Sequence, residues 1–328
     1  MPTIALLAVQ NCMYSSITGP FDLFSVASLE AERSAGHRTA SLFQPVVVAP
    51  PDREITAFNG TPVRAGASFA DKIVYDIVFV PVIFGDLGPL LVDRETIDWL
   101  TEQGRKGACL CSVCAGAFLL AETGLLKGRK ATTHWNLADD FARRFPDILL
   151  KREKMLVDEG DCITAGGVSA YMDLSLYLTA RFGSPELAAS LSKILLIDPA
   201  RRLQSPYQTG SFCKNHGDRE ILAIQEWLER NMAWSITLHD LADRAGLGAR
   251  TFMRRFKKAT GDTPLEYLQH LRIEAARKLL ETSPETIDGI TLKSGYQDIS
   301  SFRKLFKKYT GLSPSAYRRK HAYPVKTG

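Results

Sequence analysis

Phe256-Lys257-Lys258-Ala259-Thr260-Gly261 returns fifty residues later as Phe306-Lys307-Lys308-Tyr309-Thr310-Gly311. The echo extends outward at the same offset, pairing Phe252 with Phe302, Arg254 with Lys304, Pro264 with Pro314 and Tyr267 with Tyr317. Self-similarity at a fixed period means one supersecondary unit used twice. In the first copy, Thr237-Leu238-His239-Asp240 reads as a capping box that satisfies free amides at a helix start. Leu238, Leu241, Ala242 and Ala245 supply the apolar stripe, and Gly246 breaks the helix. A second helix over about 249–259 sets Phe252 and Phe256 four apart on one face, leaving Arg250, Thr251, Arg254, Arg255 and Lys257 free to point elsewhere until Gly261 stops it. The second copy runs through Ile287, Ile290, Leu292, Gly295, Phe302 and Phe306, with Arg303, Lys304, Lys307 and Lys308 outward and a turn one residue longer. Between the copies, Thr263-Pro264-Leu265-Glu266 opens a connecting helix whose stripe of Leu268, Leu271, Ala275, Leu279 and Leu280 continues to about Glu281.

A short helix, a glycine turn and a second helix with a basic outer face form a helix-turn-helix unit, which sets its second helix in the DNA major groove. Two such units joined by a rigid helix match successive grooves on one face of a duplex, about 34 Å apart. Charge agrees with this reading. Residues 217–328 hold 20 of the 41 Lys and Arg but 13 of the 36 Asp and Glu, so +7 of net charge lies there and −2 on the rest. A basic surface confined to one third of the chain favours a polyanion, nucleic acid before membrane. Residues 220–321 resemble the AraC/XylS family DNA-binding domain: Ile290 to Tyr296, Phe302, Phe306-Lys307-Lys308, Thr310-Gly311, Ser313-Pro314 and Tyr317-Arg318 follow that family's signature. Thr291 departs from it, standing where alanine is usual; a buried hydroxyl there can bond a carbonyl one turn back. The resemblance implies that Arg250, Thr251, Arg254 and Lys257 in the first unit and Ser300, Ser301, Arg303 and Lys304 in the second face the DNA. Arg272 and Lys307 are the expected phosphate contacts.

Along the first 195 residues strand and helix patterns alternate. Residues 4–9, 45–49, 77–82 and 108–113 are short apolar runs rich in β-branched residues, as in parallel strands buried on both faces. Helical periods lie at about 19–34, 95–103, 117–122 and 137–144, and a helix over 170–182 follows another strand at 162–165. The pattern predicts a doubly wound α/β domain, flavodoxin-like, followed by an all-α domain with two helix-turn-helix units. In Leu110-Cys111-Ser112-Val113-Cys114-Ala115-Gly116-Ala117 a strand turns sharply into a helix between small residues, which presents Cys114 at the sheet's carboxyl edge as a nucleophile elbow does. The helix start beneath it is expected to lower the thiol pKa.

This segment resembles the ThiJ/PfpI branch of class I glutamine amidotransferase-like domains, as do Gly128 to Trp135, Gly19-Pro20 and Thr164 to Val168. Catalytic members of that branch carry a histidine directly after the cysteine, where this chain has Ala115. They carry an acidic residue where Ser16 stands, and glycine-rich donors where Val82-Ile83-Phe84-Gly85 stands. The parts that would activate the thiol are therefore missing. Cys114 is expected to be inert or to line a ligand pocket with Ala115, His134, Trp135 and Ser16, with no catalytic residue. Cys111 and Cys114 also form Cys-x-x-Cys, but no second pair follows at metal-site spacing, and neither metal nor cofactor is expected.

The chain has 328 residues, 45% hydrophobic and 23% charged, which suits two globular domains and excludes a fibrous or disordered chain. Its longest strongly apolar run, 77–84, falls far short of a membrane span. Met1-Pro2-Thr3 has no basic leader, and six cysteines, three crowded at 109, 111 and 114, fit a reducing compartment; the expected location is the cytoplasm. The combination resembles the GlxA-type transcriptional regulators. The expected boundaries are a sensor domain at 1–195, a linker at 196–217, a DNA-binding domain at 218–321 and a tail at 322–328. The resemblance implies a homodimer that binds double-stranded DNA and a small-molecule effector, such as an amino acid or quaternary amine, and acts with RNA polymerase. The competing expectation is a cysteine-dependent hydrolase or amidase with an appended DNA-binding domain; a deglycase-like protein would need the same missing residues.

Overall fold

In a computed structural model of the chain, residues 1–35, 41–199, 201–209, 212 and 214–322 are described. The chain divides after Gln204 into two compact units. The first is built on a seven-stranded sheet of β1 (Thr3–Leu7), β2 (Gln44–Ala49), β3 (Ala67–Ser68), β4 (Ile77–Val80), β5 (Cys109–Val113), β6 (Leu156–Asp158) and β7 (Cys162–Ala165). Their spatial order is β6-β7-β5-β4-β1-β2-β3, and only β6 pairs antiparallel. The order reverses between β1 and β4, so the crevice that doubly wound sheets offer to ligands lies at the carboxyl ends of these central strands. Among the helices that accompany the sheet are α1 (Ser15–Ala35), α2 (Arg94–Arg105), α3 (Gly116–Glu122), α4 (Ala138–Arg144), α5 (Ala170–Phe182) and α6 (Pro185–Ile194). Helices α1, α5 and α6 pack together, as do α2 and α3, and β4 and β5 are buried along their whole length. The unit is the flavodoxin-like fold that the alternation predicted. The edge strands β3 and β6 and the helix α6 were not expected, since two- and three-residue strands carry too little periodicity to read.

The second unit contains α7 (Arg219–Asn231), α8 (Leu238–Arg244), α9 (Ala249–Thr260), α10 (Pro264–Thr282), α11 (Ile287–Lys293), α12 (Ile299–Thr310) and α13 (Pro314–His321). The capping boxes at Thr237 and Thr263 form as expected, with Asp240 and Glu266 returning the bond. Gly246 and Gly295 turn with φ of +64° and +83°, and the second turn is longer by one residue. Two separate cores result. Phe252, Phe256, Leu241 and Tyr267 pack with Ile221, Ile224 and Leu228 of α7, while Phe302, Phe306, Ile290 and Tyr317 form the other core with Ile273, Ala276 and Leu280. Helix α10 contributes to both, as a rigid connector must. The Thr291 hydroxyl is fully buried and donates to the Ile287 carbonyl at 2.8 Å, one turn back. Leu292 departs from its expected place in the stripe: α11 turns Ile290 and Thr291 inward, and Leu292, a hundred degrees further round, stands 62% exposed.

The stretch expected as a linker makes contacts at both of its ends. Ile197 packs against the first core, Leu203 bridges to Lys154, and the Gln204 side chain is buried. On the other side of the boundary, Arg277 donates to the Ser205 and Gln208 carbonyls, and His216 bonds Gln225. Both ends of the stretch are absorbed into the units because their backbone and side-chain polar groups find partners there. Positions 200, 210, 211 and 213 of that linker, and 323–328 of the expected tail, lie outside the described residues.

Candidate functional site

Strand β5 ends at Val113 and α3 starts at Gly116, so Cys114 and Ala115 make the turn between them. Cys114 sits at φ +56°, a left-handed conformation that a residue with a Cβ adopts only when its surroundings impose it. Two bonds hold it there. Its N–H donates to the Ala165 carbonyl, and its own carbonyl accepts from the Thr133 hydroxyl, each at 2.8 Å. Gly116 is required beside it, because a Cβ would stand 2.5 Å from the Pro81 carbonyl oxygen. The elbow is present as the sequence predicted.

Its chemistry is another matter. Cys114 is 5% exposed and Ala115 2%, and burial pushes the Cys114 thiol up to about 12. The expected lowering by the helix start is reversed, because desolvating a thiolate costs more than the end of a seven-residue helix returns. His134 is half-buried, and burial lowers its pKa and keeps the ring neutral. Its Nδ1 accepts the Asn136 N–H at 3.1 Å, capping the short turn Trp135–Leu137, and no carboxylate bonds it among the described residues. The Trp135 ring lies 5.3 Å from it, centre to centre. Ser16, expected to line the ligand pocket, is fully buried, donates to the Met13 carbonyl at 2.7 Å and accepts the Val82 N–H at 3.1 Å. Where catalytic relatives are expected to keep an acid, this hydroxyl fastens α1 to the chain beyond β4. No cluster of His, Cys, Asp and Glu suited to a metal occurs among the described residues.

Sequence reading missed a hollow elsewhere in this unit. About 650 Å³ lies beside α5 and α6, walled by Leu156, Leu176, Tyr177, Ala180, Ala188 and Ala189. At its rim, Asp173 is paired with Arg201, and Lys193 and Arg202 add positive charge. The small residues at Ala180, Ala188 and Ala189 were its only trace in the sequence.

In the second unit, α9 exposes Arg250, Thr251, Arg254 and Lys257, and α12 exposes Ser300, Ser301, Arg303, Lys304 and Lys307. Each helix turns two phenylalanines into its core and most of its cations into solvent. Asp298 caps α12 by accepting the Ser301 N–H at 2.7 Å. Arg303 stands 3.7 Å from Asp288, both exposed, a pairing too weak to withhold the guanidinium. Two other cations are withheld. Arg255 pairs with Asp218 and Glu220 and fastens α9 to the start of α7, so it is not free as expected. Arg272, expected on a phosphate, is half-buried and donates to the Met232 carbonyl at 2.8 Å and the Trp234 carbonyl at 2.7 Å. It satisfies carbonyls just past the end of α7, which would otherwise be left without donors, and its guanidinium packs over the Tyr296 ring. Helix α7 itself was missed, although the Asp218 cap and Ile221, Ile224 and Leu228 carry a legible signal.

Known proteins agree with both halves. The DJ-1/PfpI family matches residues 5–181, and a helix-turn-helix domain family matches 241–320. The HTH-type transcriptional regulator CdhR of Pseudomonas aeruginosa is 29% identical over 295 residues, 89% of this chain and 87% of its own. The HTH-type transcriptional regulator GlxA of Rhizobium meliloti is 25% identical over 328 residues, covering 97% of this chain and 95% of its own. The isonitrile hydratase of Pseudomonas putida is 30% identical over 158 residues, 48% of this chain and 65% of its own, so the first unit also has enzymes among its relatives. The chain belongs to the DJ-1/PfpI family and joins that domain to an AraC-type helix-turn-helix domain, the architecture of GlxA and its fellow transcriptional regulators.

Proposed function

We propose that the chain is a sequence-specific transcription regulator, and that its first unit binds a small effector without transforming it. The observation that carries this reading is the pair of helices α9 and α12, whose exposed faces hold Arg250, Thr251, Arg254 and Lys257 and then Ser300, Ser301, Arg303, Lys304 and Lys307. Arg and Ser at these positions read base edges, and the lysines neutralise phosphates. Arg272 is left out of the contact set. The chain works on double-stranded DNA in the cytoplasm, as a homodimer, with RNA polymerase as its further partner.

The effector site is proposed at the elbow, between Cys114, Ala115, His134 and Trp135. A thiol held protonated, and a neutral histidine with one nitrogen already bonded, support binding over catalysis. The proposed class is an amino acid or a quaternary amine, with the Trp135 ring as the wall that faces a cation. The hollow beside α5 and α6 is the second candidate, favoured by its volume and apolar wall.

Fluorescence anisotropy of the full chain on a duplex selected from a random-sequence pool tests the reading. Affinity is expected to fall by roughly 10³-fold between 50 and 200 mM salt for about six phosphate contacts, and Lys257→Ala or Lys307→Ala to lower the salt slope by about 1. Absence of binding at ~50 mM salt, or slopes untouched by both substitutions, defeats it.

A further inference from the structure

One residue at the domain boundary is bonded as no tether needs to be. Gln204, the last residue of the first unit, is 1% exposed. Its Oε1 accepts the Trp135 N–H at 3.1 Å, and its Nε2 donates to the Thr133 and Lys154 carbonyls, each at 2.9 Å. The Thr133 hydroxyl in turn donates to the Cys114 carbonyl. Gln204 therefore stands behind the wall of the proposed effector site, bonded to the two residues that shape it. The main chain is fixed as well: the Gln204 N–H donates to the Glu153 carbonyl at 2.9 Å, and the Arg202 carbonyl accepts from Met155 at 3.0 Å. Space is as tight as the bonding, since a Cβ on Gly166 would overlap Nε2.

The next residue is held in the other unit with equal firmness. The Ser205 carbonyl accepts from Arg277 at 3.2 Å, and Arg277 also donates to the Gln208 carbonyl and pairs with Glu274. Arg277 is 5% exposed and lies on α10, the connector of the two helix-turn-helix copies. The short turn Ser205–Tyr207 packs against α12, and the Tyr207 ring stacks edge-on with His321 at the end of α13. A single peptide bond, Gln204 to Ser205, thus joins a side chain locked into the elbow's hydrogen bonds to a segment seated on the second DNA-reading copy.

We infer that Gln204 is the positioning residue that couples the effector site to the second helix-turn-helix copy, so that a shift of the Thr133–Trp135 wall moves the seat of α12 through the chain. The inference rests on the proposed function and names how that site would be read out. It holds for the hollow beside α5 and α6 as well, because Arg201 and Arg202 on its rim are three and two residues from Gln204.

Coupling between two sites is reciprocal, so DNA itself serves as the probe and no effector need be known. Amide exchange of the 130–137 segment, which contains the Trp135 N–H, is measured by mass spectrometry on the full chain with and without the selected duplex, and anisotropy on the same samples reports binding. In the wild type, saturating duplex is expected to change exchange of this segment by about fivefold or more, the lower end of typical coupling. In Gln204→Ala the duplex still binds and the response disappears. Gly166→Ala, which crowds Nε2 from the other side, weakens the response in the same way. If Gln204→Ala fails to fold by circular dichroism, Gln204→Glu, equal in size and without the amide donors, carries the test. A wild-type segment indifferent to bound duplex, or a Gln204 variant that keeps the full response, overturns the inference while leaving the regulator reading intact. Failure of the duplex to bind at all sinks that reading, and the inference with it.

Discussion

The elbow and the reading helices treat their reactive groups in opposite ways. At Cys114 the backbone is strained into the geometry of a nucleophile, yet the thiol is sealed, pushed up to about 12 and, among the described residues, bonded to no base. On α9 and α12 nothing is strained, and the cations stand in water while the phenylalanines beneath them are fully buried. The difference teaches that a motif's geometry and its chemistry are separable. Geometry survives wherever packing fixes it, as Gly116, Ala165 and Thr133 fix the elbow, whereas chemistry also needs a charged form that the solvent or a partner stabilises. Exposed cations keep theirs at no cost. The buried thiol does not.

The contrast can be broken most sharply from the helical side. Phe306→Ala removes a fully buried ring from the second core and is expected to cost about 3–5 kcal/mol. Because the two copies have separate cores, calorimetry should show the second copy melting first, and a single undivided transition lowered as a whole would mean that the cores are not independent. At the elbow, peptide-resolved alkylation should find Cys114 about a thousandfold less reactive at pH 7 than an ordinary thiol, three pKa units being about 10³ in thiolate fraction. The sign follows from the raised pKa: the proton leaves the folded state late, so the rate climbs about tenfold per pH unit through pH 9 without levelling below about 12. A plateau near pH 7 would restore the thiol-enzyme reading. The smallest effect sharpens the contrast within one unit. Arg272→Ala leaves two carbonyls without their donor and should cost about 1–3 kcal/mol in urea denaturation, while the salt slope of DNA binding stays unchanged. A slope lowered by about 1 would return Arg272 to the phosphate contacts.

Much of this was legible in the chain. The fifty-residue repeat gave both pairs of phenylalanines, the caps at Thr237 and Thr263, the longer second turn and even the bond made by Thr291, because each depends on neighbours within a turn or two. The elbow was legible for the same reason, since small residues between a strand and a helix leave few backbone paths. What escaped reading had partners far along the chain. Arg272 meets carbonyls at 232 and 234, Arg255 meets Asp218 and Glu220, and Ser16 meets Val82; a charge or hydroxyl on a pattern shows that it is polar, not what will pair with it.

Local order, then, was written in the sequence: which segments turn, which faces are apolar, where a cysteine would be forced into a left-handed bend. Only the assembled fold decided which polar groups remain for work, because burial sets the cost of charge and long-range partners use up donors before any ligand arrives. Gln204 is the clearest case, an unremarked glutamine in a supposed linker until Thr133, Trp135 and Lys154 closed around its amide.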